Sequence, residues 1–207
     1  MSLGVIGGLG PMATAYFMQL VIDMTKAEKD QEHLEMIIYN SPSIPDRTAY
    51  ILGQSSESPL PKIIELGKKL KEQEVSCIAI PCITAHYFHR EIEDALELTV
   101  IHAIRETALL LKEKKVHKVG IMATDGTIQS GIFQEELEKL GINSKNFVFE
   151  GYEELEPLWV DSIADRNEII NLTSESILLY TLSRIGSRTL YSDKESQNEM
   201  SRINYSL

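Results

Sequence analysis

The sequence predicts an α/β fold in which short parallel sheets are flanked by helices. Apolar segments of about four to eight residues alternate with amphipathic segments of about ten to fifteen, which is the pattern of consecutive βαβ units. The most unusual segments, "GGLGP", "NSPSIPDRT", "PCITAH" and "ATDGT", lie at the ends of predicted strands. Because right-handed crossovers bring the carboxyl ends of parallel strands to one edge, where ligands bind, we expect these loops to form the functional site.

The elements follow one another in a regular order. The predicted strands are short apolar runs at 3–8, 34–40, 76–81, 99–103, 117–124 and 146–151. The predicted helices have apolar residues three and four positions apart, and they are 11–27, 60–74, 85–96, 103–115 and 127–141. Pro11 suits the first turn of its helix, where its missing N–H would be unpaired in any case. The segment 41–59 is predicted to be a long loop that holds a short helical turn.

The chain also contains a hint of internal duplication. "GVIGGLGPMAT" and "VGIMATDGTIQSG" are each a glycine-containing strand followed by a turn of small residues and a helix. This similarity predicts two similar lobes that meet at a cleft. After about residue 157 the alternation weakens, and the last segment, 187–207, is polar and rich in serine, which predicts a tail.

Composition narrows the class of protein. At 207 residues, of which 43% are apolar, the chain can bury a core. Its net charge of −11 argues against nucleic acids and anionic membranes as partners, since both require an excess of Lys and Arg. There is no apolar run near the roughly 18–20 residues of a membrane span, and the N-terminus does not read as a signal peptide. We therefore expect a cytoplasmic protein.

The first unusual loop contains the spacing Gly8-x-Gly10-x-x-Ala13 after a predicted strand. This spacing matches a loose dinucleotide fingerprint, which also expects an acidic residue near the end of the second strand. That strand ends in Tyr39 and Asn40 instead. A plain connecting turn is the simpler alternative, and a loop that contacts a small anion or substrate is the interpretation we favour.

The second loop places Arg47 after two prolines in "SPSIPDRT". Prolines stiffen the loop, and the planar guanidinium can bind both oxygens of a carboxylate at once. The alternative is a surface ion pair, for example between Arg47 and Asp46.

The third loop places a cysteine where a predicted strand gives way to a predicted helix. Cys82 would lie near the unpaired N–H groups of that helix, which favour a thiolate, and Thr84 could cap the helix. Cys77 lies within the strand and should be a buried, inert thiol, whereas we expect Cys82 to be accessible; a small buried residue is the alternative for Cys82. His86 is interpreted as structural. Two cysteines do not predict a disulfide scaffold, and His86 and His89, three positions apart, are too few ligands to predict a metal site.

The fourth loop, "ATDGT", supplies hydroxyl and N–H groups from Thr124, Gly126 and Thr127 at the start of another predicted helix. These groups would suit an anion. Ordinary helix capping by Thr127 or Asp125 is the alternative.

Together the four loops resemble the aspartate/glutamate racemase family, whose members racemise amino acids without a cofactor. "GGLGPMAT" resembles its first signature, "SPSIPDRT" its carboxylate-binding loop, "PCITAH" its first cysteine motif, usually PCNTAH, and "ATDGT" the threonine-rich loop of its second lobe. The resemblance covers about residues 3–150 with the motifs in the family's order.

The resemblance implies two similar α/β lobes with the active site in the cleft between them, and a homodimer. It implies a reaction in which one cysteine removes the α-proton of a small acidic amino acid and a second returns one on the opposite face. Cys82 would be the first of these bases, and no cofactor is required. Substrate contacts are implied for Gly10, Met12, Arg47, Ile83, Thr84, Thr124, Gly126 and Thr127.

Two departures from the family pattern concern the chemistry. Ile83 replaces the usual Asn after the cysteine, which removes a side-chain hydrogen bond to the substrate. The second cysteine motif, close to GCTE and expected around 190–197, is absent; Ser192, Asp193 and Ser196 are near that position without a matching context. The basic contact of the second lobe is not recognisable either, and Arg166 is the nearest candidate.

We therefore predict an N-terminal lobe at 1–103 that carries Cys82, a second lobe at 104–185 that is incomplete or divergent, and a tail at 186–207. Genuine divergence and an altered reading frame would both explain the second lobe. The leading expectation is a racemase-like protein for aspartate or glutamate with impaired activity. The alternatives are a binding protein or a one-cysteine decarboxylase or lyase of the same fold, and a nucleotide-binding module.

Overall fold

A computed structural model describes residues 2–121 and 123–146 and contains two parallel β-sheets flanked by helices. The strands are β1 (Ser2–Gly7), β2 (Glu35–Asn40), β3 (Cys77–Ala79), β4 (Lys118–Ile121) and β5 (Asn143–Asn146). The helices are α1 (Pro11–Met24), α2 (Arg47–Ile51), α3 (Leu60–Glu72), α4 (His89–Leu96), α5 (Ala103–Glu113), α6 (Asp125–Ser130) and α7 (Ile132–Lys139). Short 3₁₀ helices span Asp30–Glu32 and Thr84–Phe88. The predicted α/β class is confirmed.

In the first sheet, β1 lies between β2 and β3, and all of its pairings are parallel. The register aligns Val5 with Ile38 of β2 and with Ala79 of β3. Leu3 and Val5 belong to one core cluster and Ile6 to another, because successive side chains of a strand alternate between its faces. A strand covered by helices on both faces reads as a continuous apolar run, which explains why β1 is so easy to find in the sequence.

One of the two core clusters is shared by both sheets. It contains apolar residues of β1, α1, α5, β4 and α7, including Val5, Phe17, Ile104, Ile121 and Phe133. The other cluster packs on the opposite face of the first sheet, under α3 and α4. The two halves of the described chain are therefore held together by a continuous apolar core, and their strand-end loops lie close to each other.

Several predicted strands differ from the structure. The predicted strand 99–103 is reduced to one bridge between Val100 and Ile78. The second sheet pairs β4 with β5 in parallel, and β5 is exposed along its whole length. Its sequence, "NSKN", has no apolar pattern, since an edge strand needs only its backbone groups for pairing. The predicted strand 146–151 lies outside the described residues beyond Asn146, as does the predicted tail.

Two predicted helices are divided. The predicted helix 127–141 breaks at Gly131, whose φ of 70° ends α6 and precedes α7. Left-handed backbone at a helix end favours glycine because a side chain would clash. The predicted helix 85–96 begins with the 3₁₀ helix Thr84–Phe88, and its α-helical part starts at His89. The helical turn predicted within 41–59 is confirmed as α2.

No helix in the described ranges combines the length and the apolar character that crossing a membrane would need.

Candidate active site

The loops that follow β1, β2, β3 and β4 meet at the carboxyl edges of the two sheets. The N–H of Ser41, after β2, donates to the carbonyl of Gly7 at the end of β1 at 3.1 Å. The loop after β2 is tied again to the loop after β1 by Arg47, whose Nη2 donates to the Leu9 carbonyl at 3.0 Å. The loop after β3 contacts the loop after β4 through Thr84. The predicted convergence of the four loops is therefore present.

Internal hydrogen bonds of Thr14, a residue that the sequence pattern did not single out, hold the glycine loop after β1 together. Thr14 Oγ1 accepts from the Gly8 N–H at 2.9 Å and donates to the Gly10 carbonyl at 3.1 Å. Gly8 has a φ of 89°, and a side chain there would collide with the backbone of Ser41. Met12, which the resemblance implies as a substrate contact, is 81% exposed at the start of α1. The buried Gly8 N–H already has its partner within the loop.

Arg47 holds its own loop as well as the glycine loop. Its Nη1 donates to the Pro45 carbonyl at 3.2 Å and lies 3.5 Å from that of Ile44. Its Nε is buried and has no hydrogen-bond partner among the described residues. The Asp46 carboxylate instead caps α2, because it accepts a hydrogen bond from the Ala49 N–H at 2.7 Å. The alternative of an Arg47–Asp46 ion pair is therefore wrong.

The structure does not separate the two cysteines by burial. Cys82 and Cys77 are each 6% exposed, so the prediction that Cys82 is accessible is wrong. Cys82 lies in a tight turn in which its N–H donates to the Ile80 carbonyl at 2.7 Å, and α4 begins only at His89. The expected position at the start of an α-helix is therefore not found. Burial raises the pKa of the Cys77 thiol, which agrees with an inert residue of the strand.

Three threonine hydroxyls join the cysteine loop to the loop after β4. Thr84 Oγ1 lies 3.0 Å from Thr124 Oγ1 and 2.8 Å from Thr127 Oγ1, and the latter two are 3.1 Å apart. None of these hydroxyls caps a helix, so the expected capping by Thr84 and the capping alternative for Thr127 are wrong. These hydroxyls bond to threonines that are mostly distant in sequence instead of to the backbone at a helix start, and no local sequence pattern can indicate such a partner.

Gly126 allows α6 to approach α2 closely. A Cβ built at Gly126 would lie 2.8 Å from Thr48 Oγ1 and 2.9 Å from Thr48 Cα. These distances are too short for any real Cβ, so the two helices could not keep this separation with a larger residue. Ile83, the residue that follows Cys82, is 5% exposed and belongs to the core cluster that both sheets share.

A cluster of three imidazoles lies behind the cysteine loop. The ring centres of His86 and His89 are 6.1 Å apart, those of His86 and His102 5.7 Å, and those of His89 and His102 4.2 Å. Burial lowers the pKa of His86 to about 4 and that of His102 to about 3, so both are neutral at pH 7. The spacing of His86 and His89 was visible in the sequence, but the approach of His102 was not.

The described residues contain no cluster of His, Cys, Asp and Glu that could hold a metal ion. The candidates for the missing second-lobe functions, Arg166, Ser192, Asp193 and Ser196, lie outside the described residues.

Comparison with known proteins identifies the family. The family model described as "Asp/Glu/Hydantoin racemase" matches residues 6–163. The broad specificity amino-acid racemase RacX of Bacillus subtilis is 33% identical over 146 residues, which are 67% of this chain and 61% of that protein. The structure of an aspartate racemase from Picrophilus torridus is similar with a TM-score of 0.66 at 33% identity, and covers 70% of this chain and 62% of that one.

More distant structures share the fold. An aspartate racemase homologue from Pyrococcus horikoshii has a TM-score of 0.67 at 18% identity, over 90% of this chain and 99% of that one. The chain thus spans about three fifths of the two relatives to which it is 33% identical, 61% of RacX and 62% of the Picrophilus torridus structure.

Proposed function

The chain belongs to the Asp/Glu/Hydantoin racemase family, and on that premise we propose that it acts on the α-carbon of an acidic amino acid. Cys82 is the base in this proposal, and no cofactor takes part. The observation that carries it is the contact of Thr84 with Thr124 and Thr127. This contact sets the loop of Cys82 against a cluster of hydroxyl groups from the other half of the chain.

The proposed step is the removal of the α-proton by the Cys82 thiolate. The Cα–H bond breaks, the proton moves to Sγ, and the electron pair remains on the α-carbon, where the neighbouring carboxylate delocalises it. Donors fixed around the carboxylate stabilise this charge, and a site from which water is excluded strengthens each of these interactions. The burial of the Cys82 loop supports such a site.

We assign the carboxylate contact to Arg47. The hydrogen bonds to Leu9 and Pro45 hold its guanidinium at the place where the loops after β1 and β2 meet. Its buried Nε–H has no described partner, and an unpaired buried donor costs roughly 1–3 kcal/mol. A substrate oxygen would remove this cost. The hydroxyls of Thr84, Thr124 and Thr127 are the further donors in the proposal, and the family resemblance adds Gly10, Met12, Gly126 and Ile83 as substrate contacts.

The chain has only one candidate cysteine for this chemistry. Cys77, the other cysteine, is part of β3 and its pKa is raised by burial. Inversion needs a proton donor on each face of the planar intermediate. Serine hydroxyls are far less acidic than a thiol, and a carboxylate such as that of Asp193 is a weak base for an α-proton. We therefore expect Cys82 to exchange the α-proton of one enantiomer with solvent, with little or no inversion.

The experiment is an exchange assay in deuterium oxide with each enantiomer of aspartate and glutamate. NMR follows the loss of the α-proton, and chiral chromatography follows inversion. Cys82→Ala should reduce exchange at least about a hundredfold, the usual contribution of an acid–base residue. Cys77→Ala is the matched control and should retain exchange.

The outcomes separate the competing functions. Inversion at about 1 s⁻¹ or more would show that a second base exists. Binding without exchange would favour the alternative of a binding protein, and release of carbon dioxide or ammonia would favour a one-cysteine decarboxylase or lyase. These alternatives are retained because the chain has a single candidate cysteine, and one cysteine suffices for binding or for a one-base reaction.

We also propose a cytoplasmic homodimer from the family resemblance, and sedimentation equilibrium would distinguish the dimer from a monomer.

A further inference from the structure

We propose that His86 is a positioning residue that fixes the Cys82 turn against the helix leading into the second half of the chain. The proposal rests on the proposed function of Cys82 as the base. It assigns a role to the His86 imidazole, whose hydrogen-bond partners among the described residues are backbone groups rather than the Cys82 thiol or the threonine hydroxyls.

Both nitrogens of His86 have backbone partners. Nδ1 lies 3.0 Å from the carbonyl of Cys82, whereas Nε2 lies 3.2 Å from the N–H of Ala103 and 3.3 Å from the carbonyl of Ile101. A carbonyl can only accept and a backbone N–H can only donate. The hydrogen therefore lies on Nδ1, and Nε2 accepts. The other neutral tautomer could donate from Nε2 to Ile101, but it would set the Nδ1 lone pair against the Cys82 carbonyl and the Nε2 proton against the Ala103 N–H.

The second of these bonds reaches the start of α5. Ala103 is the first residue of α5, and its N–H has no partner within the helix. His86 supplies that partner, while His102 Nδ1 accepts from the Arg105 N–H in the same first turn at 3.2 Å. The beginning of α5 is thus capped by two imidazoles that come from different elements.

α5 carries this connection into the second half of the chain. Its residues Ile104, Ala108 and Leu111 lie in the core cluster shared with β4 and α7. Arg105 also forms an ion pair with Glu136 of α7 at 3.6 Å. Through His86, the cysteine loop is therefore attached to α5, which packs in the same core as β4, the strand that precedes the threonine loop. Thr84 provides the second attachment, so the Cys82 turn is held on both sides.

His86 differs in this respect from its neighbour His89. His89 is also buried, but its Nε2 donates to the carbonyl of Val100 at 2.7 Å and contacts no atom of the Cys82 turn in the described hydrogen bonds. If the imidazoles only filled space, the loss of either would have similar consequences for Cys82. If His86 positions the turn, its loss alone should release the thiol.

The test measures the exposure of Cys82 by alkylation. The full chain with Cys77→Ala as background is treated with iodoacetamide at pH 7.5, and mass spectrometry follows the modification of Cys82. His86→Ala should increase the rate at least about tenfold, the scale expected for one lost buried hydrogen bond. His89→Ala is the matched control and should change the rate less than about threefold once the free energy of unfolding, measured in urea, is taken into account.

Two conservative variants distinguish the bonds. The amide of Asn reaches the place of Nδ1 and can donate to Cys82, whereas the amide of Gln reaches the place of Nε2 and can accept from Ala103. We expect His86→Asn to keep Cys82 protected and His86→Gln to leave it reactive, although Gln restores the cap of α5. If His86→Ala fails to fold, the contrast between Asn and Gln decides the question.

Equal rates for the alanine variants of His86 and His89, or equal rates for Asn and Gln, would overturn the proposal. Because alkylation needs no substrate, the result is independent of the proposed function. Absence of exchange in every variant would count against the proposed reaction, while the alkylation contrast would still decide the task of His86.

Discussion

The loop after β1 and the loop after β4 begin alike in sequence, but their threonines have different partners. Among the described residues, Thr14 Oγ1 bonds within its own loop, to Gly8 and Gly10. Thr124 and Thr127 bond to Thr84, which belongs to the other half of the chain. The threonine of the first loop thus stabilises its own loop, whereas the threonines of the second present their hydroxyls to a neighbour. Similar strand-turn-helix segments therefore form different hydrogen bonds, and the difference depends on which element packs beside each loop.

The largest expected contrast is between Thr14→Val and Thr84→Val, which remove a hydroxyl with little change of shape. Thr14→Val leaves the buried Gly8 N–H without its partner and should lower the free energy of unfolding by about 1–3 kcal/mol. Thr84→Val should cost about 1 kcal/mol or less, because Thr124 and Thr127 can still bond to each other at 3.1 Å.

Urea unfolding measures these stabilities, and α-proton exchange measures the effect on the site. Exchange should fall more in Thr84→Val than in Thr14→Val if the hydroxyl cluster belongs to the site. The reverse order in both measurements would remove the distinction between the two loops.

Arg47→Lys tests the tie between the loops after β1 and β2. Lysine keeps the charge, but its donors share one nitrogen and cannot span the carbonyls of Leu9 and Pro45 and a carboxylate as the separate nitrogens of the planar guanidinium do. The affinity for an acidic amino acid should fall about tenfold, as for one lost charged hydrogen bond.

Calorimetric titration measures that affinity. Arg105→Lys is the control, since the Arg105 side chain is half exposed and its charge pairs with Glu136 of α7 rather than with a group of the four loops. Binding that is unchanged in Arg47→Lys would take Arg47 out of the site.

The smallest expected effect compares one glycine from each loop. Gly126→Ala forces α6 away from Thr48, which costs roughly 1–3 kcal/mol and is partly offset by a gain of about 1 kcal/mol in helix propensity. Gly10→Ala meets only an ordinary contact at 3.6 Å, so its cost should be small. Thermal unfolding compares the two variants, and a more stable Gly126→Ala protein would show that the two helices separate without cost.

Much of the fold could be predicted because local chemistry determines it. β1 is apolar along its length since it is buried on both faces, and α2 begins where Asp46 can cap it. β5 could not be predicted, because "NSKN" has no apolar pattern and pairs with β4 through backbone groups. The break at Gly131 was not predicted, because a glycine within a helical pattern can either continue the helix or end it in a left-handed conformation. The apolar pattern continues on both sides of Gly131 and does not distinguish the two.

The meeting of the strand-end loops was predicted, but the contacts between their side chains were not. The sequence singled out Cys82, Arg47 and Thr84, and the strand order placed their loops at one edge. It did not indicate that Cys82 is as buried as Cys77, because burial depends on what later segments cover. The imidazole cluster could not be predicted either, since it needs His102, 16 positions further along the chain, to lie 5.7 Å from His86.

By itself, the sequence determined which residue types stand at the ends of the strands, because turn chemistry and apolar periodicity act over a few neighbouring residues. The loops of Gly8, Arg47, Cys82 and Thr124 could be named for that reason. Only the tertiary structure decided which groups pair across the two halves. A hydroxyl or an imidazole bonds to whatever donor or acceptor packing brings within about 3 Å, and packing depends on the whole core rather than on the adjacent residues.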